Sequence, residues 1–185
     1  KRKIMTTSAN NMSENETQIA AIYSPTHQRI IVAWCDDANS KKYRIQVGNV
    51  SSSSISWSSK QGPESNFFTQ GNAANIRNVA IAVNGSTIVF AGKSASSGWG
   101  FIYVATMSGS TLSWGGANQF NIGGEFSVRA NLFHVSHSGA NSNRFAYIGK
   151  NNSNNSVAYH FDVSGTNLSN TRTLSLNATF LFFFF

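Results

Sequence analysis

Short apolar runs separated by Gly, Ser, Asn and Lys recur along the chain, and residues 86–114 show the pattern most clearly. Three strand-like segments follow one another there: 88–91 (IVFA), 101–104 (FIYV) and 111–114 (TLSW). No segment keeps the spacing of about 3.6 residues that marks an amphipathic helix. Ser and Asn are abundant, and both favour turns and strand edges over helix interiors. The pattern therefore predicts an all-β protein.

The same pattern occurs three times at a nearly constant interval along the chain. Between the first two copies, Ile30 matches Ile88 at an offset of 58, and Val47 matches Val104 at an offset of 57. In the third copy, Phe145 matches Ile88 and Phe161 matches Val104, both at an offset of 57. We therefore predict that Ile30, Ile88 and Phe145 occupy equivalent buried strand positions, as do Val47, Val104 and Phe161. In the last strand of the unit, Leu168 and Asn170 match Leu112 and Trp114 at an offset of 56.

A repeated four-strand unit of this length is typical of a β-propeller blade. We predict an N-terminal arm at residues 1–17, β-repeats at 18–74, 75–128 and 129–178, and an apolar C-terminal tail at 179–185. Three blades are too few to close a propeller, which usually needs about four to eight. Exposed edges would then invite pairing with another chain. A β-trefoil, or another three-repeat sandwich or solenoid, is the alternative, although the Gln-x-Trp motif of ricin-type trefoils is missing.

Four stretches of the first copy are similar to a known repeat: 32–36 (VAWCD), 39–40 (NS), 47–51 (VGNVS) and 54–57 (SISW). They resemble the roughly 57-residue repeats of tail and virion-surface proteins of marine bacteriophages. The second copy offers 104–109 (VATMSG) and 111–114 (TLSW) at the corresponding places, although most glycines of the pattern are absent. The resemblance implies a virion or extracellular structural role, and it brings no active site with it.

The charge pattern favours no particular class of partner. The net charge is +7, from 14 basic and 7 acidic residues, but the basic residues are scattered and do not alternate with aromatics. A specific nucleic-acid interface is therefore not expected. Cys35 is the single cysteine, which excludes an internal disulfide and a cysteine metal cluster. The terminal run of six apolar residues is too short to span a bilayer, so no transmembrane segment is expected.

No catalytic constellation emerges from the residues. The segment 108–114 (SGSTLSW) echoes the Asp box of sialidases but lacks its aspartate. A glycosidase also needs two suitably placed carboxylates, or a tyrosine nucleophile with an acidic partner, and seven acidic residues leave few candidates. His134 and His137, three apart in a strand, would face opposite sides and lack a third ligand. The acidic turn from Asp36 to Asn39 has no acidic counterpart in the other copies, so a polar turn is favoured over a calcium site. We expect neither a metal nor a cofactor.

Two features remain as candidate interaction sites. Trp57 and Trp114 recur at one repeat position, which favours packing, whereas Trp99 lies in a loop without a counterpart and is the candidate ligand-facing aromatic. The large apolar residues Phe182, Phe183, Phe184 and Phe185 predict a contact with a neighbouring subunit. The resulting hypothesis is a non-enzymatic structural component of a virion surface or extracellular fibre, assembled from copies of itself or other subunits. A lectin-like glycan-binding module is the alternative, and a glycosidase the remote one.

Overall fold

The computed structural model describes residues 19–36, 42–62, 79–93, 100–116, 118–120, 131–135, 143–150 and 156–175. All regular structure in these ranges is β, and it forms three antiparallel sheets of four consecutive strands each, one of which carries an additional short strand. The predicted fold class is therefore confirmed: the chain is an all-β protein with three blade-like repeats, which do not close on themselves.

Each sheet is a simple meander whose strands follow chain order, as expected where short turns join antiparallel neighbours. Sheet 1 consists of β1 (Ile19–Ser24), β2 (Arg29–Asp36), β3 (Lys42–Val50) and β4 (Ile55–Trp57). Sheet 2 consists of β5 (Ala80–Asn84), β6 (Thr87–Lys93), β7 (Gly100–Ser108) and β8 (Thr111–Trp114). The additional strand β9 (Asn118–Phe120) pairs with the beginning of β7, and β8 pairs with its end. Sheet 3 consists of β10 (Asn131–Val135), β11 (Arg144–Lys150), β12 (Ser156–Ser164) and β13 (Asn167–Ser175).

The three sheets stack face to face in chain order, and their first strands lie side by side, with β5 between β1 and β10. We call the face of a sheet that points along the stack, from sheet 1 toward sheet 3, its front face. The opposite face, which points back toward sheet 1, is its back face. The front face of sheet 1 and the back face of sheet 2 enclose one core, which includes Ile31, Val47, Ile88, Phe90 and Tyr103. The front face of sheet 2 and the back face of sheet 3 enclose a second core, which includes Ala82, Val104, Phe145, Tyr147 and Phe161. Sheet 2 is therefore buried on both faces.

The two cores are filled in different ways. Phe90 and Tyr103 project from the back face of sheet 2, and Phe90 meets Tyr43 of sheet 1 edge to face at a centroid distance of 5.3 Å. The front face of sheet 2 instead carries small residues, among them Ala80, Ala82 and Ala91. Opposite them, the back face of sheet 3 supplies the large side chains of Phe145, Tyr147, Tyr159 and Phe161. Alternation of large and small side chains across facing layers allows close packing without voids.

One hydrogen bond recurs in all three sheets and fixes the true repeat. In each copy, the carbonyl oxygen at the turn between the first two strands accepts a bond from a backbone N–H at or near the end of the third strand. The three pairs are Gln28 with Val50 (3.3 Å), Ser86 with Met107 (2.8 Å) and Asn143 with Val163 (2.9 Å). The offset between successive donors is 57 and then 56. The two partners are 22, 21 and 20 residues apart in the first, second and third copies, so the third copy is one residue shorter than the second between this turn and the end of its third strand.

This deletion corrects one predicted equivalence. Ile88 pairs with Ala105 and Phe145 pairs with Phe161, so the counterpart of Phe161 is Ala105 and not Val104. Val104 lies on the front face of sheet 2, whereas Phe161 lies on the back face of sheet 3. A shift of one residue moves a strand side chain to the other face of its sheet. The matched period therefore placed Phe161 in the right strand but on the wrong face.

The two-residue hairpins explain several of the glycines. Gly109 and Gly165 open the loops that join the third and fourth strands of sheets 2 and 3, with φ of 60° and 59°. A glycine at the first loop position is typical of the turns that match the twist of a hairpin, because a side chain disfavours positive φ there. In β13, Asn170 takes the positive φ, at 50°, beside a register shift opposite His160 and Asp162.

Candidate interaction surfaces

The back face of sheet 1 has no other sheet packed against it in the described part of the chain. The large apolar residues that are exposed all lie on it: Ile19 (46% exposed), Tyr23 (49%) and Ile55 (38%). The register of β1 and β2 places Ile19 and Tyr23 on the same face. Ile19 pairs with Trp34 and Tyr23 pairs with Ile30. Trp34 and Ile30 are four residues apart in β2, so their side chains point to the same side of the sheet. Ile30 itself is only half-buried, and not buried as predicted, whereas Val32 and Trp34 on the same face are 6% and 0% exposed. The repeat equivalence makes this surface the counterpart of the back faces that sheets 2 and 3 bury.

Trp57 illustrates the equivalence of the back faces. It pairs with Gly48, as Trp114 pairs with Ala105 in sheet 2. A Cβ atom at Gly48 would lie 2.9 Å from the Trp57 ring and 2.7 Å from Ile55, so the missing side chain leaves room for both residues to cover the strand. Trp114 packs on the core between sheets 1 and 2, with its ring edge toward Tyr103 at 6.4 Å. Trp57 stands at the same position on a face without such a partner sheet.

The front face of sheet 3 carries an ion pair, whereas the corresponding arginine on the front face of sheet 1, Arg29, binds the amide oxygen of Asn49. Arg144 binds Asp162 through two hydrogen bonds, Nε to Oδ1 at 2.6 Å and Nη2 to Oδ2 at 3.1 Å. Asn170 donates a further bond to Oδ2 at 2.8 Å. The Arg144 hydrogen bonds lower the pKa of Asp162 below its ordinary value, the Asn170 bond adds to this effect, and partial burial opposes both. Asp162 is therefore held ionised as a structural carboxylate rather than poised as a proton donor.

Beside this ion pair, the front face of sheet 3 is apolar and only half-buried. Ala146, Ile148 and Ala158 form its floor. They occupy the positions at which sheet 2 has the fully buried residues Val89, Ala91 and Ile102. His160 lies next to this floor, and its Nδ1 atom is buried without a hydrogen-bond partner in the described part of the chain. Sheets 1 and 3 thus each carry a partly accessible outer face.

A glutamine that sequence reasoning missed couples sheets 1 and 2. The backbone of Gln61 forms an isolated bridge with Ile45, with hydrogen bonds of 2.7 and 2.8 Å. Its side-chain amide crosses to sheet 2, where Nε2 donates to the Ser110 carbonyl and Oε1 accepts from the Leu112 N–H, both at 2.7 Å. Gln61 therefore satisfies the edge of β8 as a neighbouring strand would. The only signal in the sequence is that Asn118, the residue that pairs with Ile102 in sheet 2, matches Gln61 at an offset of 57.

The tyrosines of sheet 3 are core residues. Tyr147 and Tyr159 pack side by side at a centroid distance of 6.1 Å within the second core. Burial raises the pKa of Tyr147 well above the usual tyrosine value, and it raises that of Tyr159 as well. A phenol that holds its proton more tightly is a poorer nucleophile at neutral pH. Their position and their protonation both fit packing.

Most of the predicted site residues lie outside the part of the chain that the structure describes. Trp99, the tail residues Phe182, Phe183, Phe184 and Phe185, and the acidic-turn residues 37–39 lie outside the described residues. His134 is in β10, where its ring meets the edge of Phe145 at 5.4 Å, and His137 is not described. Within the described ranges, no group of three or more His, Cys, Asp or Glu side chains is placed to bind a metal ion.

Comparisons with known proteins return no relative for this chain: no family model, curated protein or solved structure matches it. In the part of the chain that the structure describes, no helix is long and apolar enough to cross a membrane.

Proposed function

We propose that the protein is a non-enzymatic structural component of an extracellular or virion-surface assembly, such as a phage tail or a fibre. One observation carries this proposal. The large apolar side chains that are exposed in the described residues are concentrated on the back face of sheet 1, at the end of a stack whose other back faces are buried. Large apolar side chains left exposed on one face are costly in water, and a concentration of them typically marks a protein interface.

The chemistry of the described polar groups also supports assembly over catalysis. Asp162 is engaged by Arg144 and Asn170. Tyr147 and Tyr159 lie in the core. Acid–base catalysis at sugars needs a pair of carboxylates whose pKa values are pushed apart. Asp162 is instead paired with Arg144, which lowers its pKa.

Electron microscopy of the material from which the sequence derives tests the proposal. We expect antibodies against the purified protein to label virions or extracellular fibres at regular positions. Labelling confined to the cell interior would contradict the proposal.

A glycan array on the same purified protein separates the proposal from a lectin-like function. Saturable binding of one sugar class that is lost in Trp99→Ala would favour the lectin alternative and its glycan partners. Turnover of a panel of glycosides by the purified protein would favour the glycosidase. A structural component is expected to show neither activity.

A further inference from the structure

The two outer faces of the stack differ in the same way as the faces that pack inside it. Inside, the small residues Ala82 and Ala91 on a front face receive the aromatic residues Phe145 and Phe161 on a back face. Outside, the front face of sheet 3 offers a floor built partly of alanines, and the back face of sheet 1 offers the larger side chains Tyr23, Ile55 and Trp57. The two outer faces therefore match in side-chain size as the facing surfaces of sheets 2 and 3 do, with small residues on the front face and larger residues on the back face.

We propose that these faces bind each other between two copies of the chain, so that the front face of sheet 3 in one copy docks on the back face of sheet 1 in the other. This inference deepens the proposed assembly role and rests on it, since it names the partner as a second copy. Because each copy presents one face of each kind, two copies form two identical contacts. The product is a closed ring of six sheets, within the range of about four to eight blades that β-propellers use.

The polar ends of the two faces are also compatible. Tyr23 adjoins the turn between β1 and β2, and Arg144 adjoins the turn that precedes β11. Within the chain the corresponding turns already touch: His27 is hydrogen-bonded to Ser86 at 3.0 Å, and Asn84 donates to Asn143 at 2.8 Å. The Asn143 side chain also donates to Thr87, the residue that corresponds to Arg144, at 3.0 Å. Repetition of this geometry between copies places Gln28, the counterpart of Asn143, beside Arg144. A side-chain amide oxygen can accept a hydrogen bond from a guanidinium.

The test is the mass of the purified protein in solution, measured by light scattering at micromolar concentration. We expect the wild type to have twice the chain mass of 20.0 kDa. Tyr23→Asp on the back face of sheet 1 and Ala158→Glu on the front face of sheet 3 should each reduce the mass to that of one chain. Ser52→Asp, in the exposed loop before β4, is the matched control and should leave the mass unchanged.

Mixing the two variants distinguishes this arrangement from others. Each variant has one damaged and one intact face, so an equimolar mixture of Tyr23→Asp and Ala158→Glu should regain a dimer through the single undamaged contact. If Tyr23→Asp fails to fold by circular dichroism, Ile55→Asp replaces it on the same face.

Several outcomes would overturn the inference. These are a monomeric wild type, an Ala158→Glu variant that remains dimeric because two sheet 1 faces meet, a mixture that stays monomeric, and an open polymer in place of a dimer. A monomeric protein that still labels fibres or virions would reject the ring but keep the assembly role, which separates the two proposals.

Discussion

Replacing Gln61 tests how much its side chain contributes to the contact between sheets 1 and 2. The amide both donates and accepts, binding the Ser110 carbonyl and the Leu112 N–H at 2.7 Å each. Gln61→Glu keeps the size and the accepting oxygen. At neutral pH, however, it replaces the donating nitrogen with a carboxylate oxygen that faces the Ser110 carbonyl. Gln61→Ala removes both contacts, together with the bond that Nε2 donates to the Ser58 hydroxyl oxygen at 3.1 Å.

The expected magnitude follows from the groups that lose partners. A hydrogen bond contributes about 1 kcal/mol net, and a buried group left without a partner costs about 1–3 kcal/mol. Leu112 is buried and Ser110 is half-buried, so water can reach the carbonyl side more readily. Freeing a long side chain returns up to about 2 kcal/mol of conformational entropy. We therefore expect Gln61→Ala to lower the free energy of unfolding by about 1–2 kcal/mol, and Gln61→Glu by roughly 2 kcal/mol at pH 7.

The pH dependence gives Gln61→Glu a distinctive signature. Below the glutamate pKa of about 4.3, the protonated carboxyl regains a donor and can bind the Ser110 carbonyl again. The deficit relative to the wild type should therefore shrink as the pH falls. Urea unfolding curves at several pH values measure it directly.

Gln46→Glu is the matched control, because the Gln46 amide donates to the Ser58 carbonyl, which belongs to the same repeat. Its deficit should be smaller than that of Gln61→Glu at pH 7. A Gln61→Ala loss below about 0.5 kcal/mol, the range of ordinary surface substitutions, would refute the coupling. So would a Gln61→Glu deficit that does not change with pH.

Three further predictions concern the core, a hairpin and the ion pair of sheet 3. Phe90→Ala should lower the free energy of unfolding by about 3–5 kcal/mol in urea titrations, because Phe90 is fully buried between sheets 1 and 2; a loss near 1 kcal/mol would contradict that placement. Gly109→Ala should lower the thermal midpoint through a cost of about 1–2 kcal/mol at positive φ, whereas Gly116→Ala, also in open space but without positive φ, should be nearly neutral. Because Arg144 lowers the pKa of Asp162, its stabilisation is present above the unfolded value of about 3.9 and is lost as the pH falls through the lower folded value. The deficit of Asp162→Asn should thus be full at pH 7 and fade in acid, and a deficit independent of pH would show that the ion pair contributes nothing.

The sequence by itself determined the strands and their repetition. Strand formation depends on local alternation and turn chemistry, which neighbouring residues encode, so segments such as 88–91 and 101–104 were predicted from their composition alone. Agreement of apolar positions at a period of 57 then indicated three blade-like units. The sheet order followed as well, because antiparallel strands joined by short turns pair with their neighbours in the chain.

Only the tertiary structure decided which face each side chain occupies and what it meets there. Phe161 was assigned to the wrong face because a one-residue deletion reverses the side of a strand, while the apolar pattern tolerates either assignment when both faces are buried. The link from Gln61 to Leu112 joins residues 51 apart, and it exists only because two sheets stack in one particular register. The exposed position of Tyr23 depends equally on which sheets have neighbours. Contacts between sheets are set by the packing of distant segments, and a local pattern does not encode them.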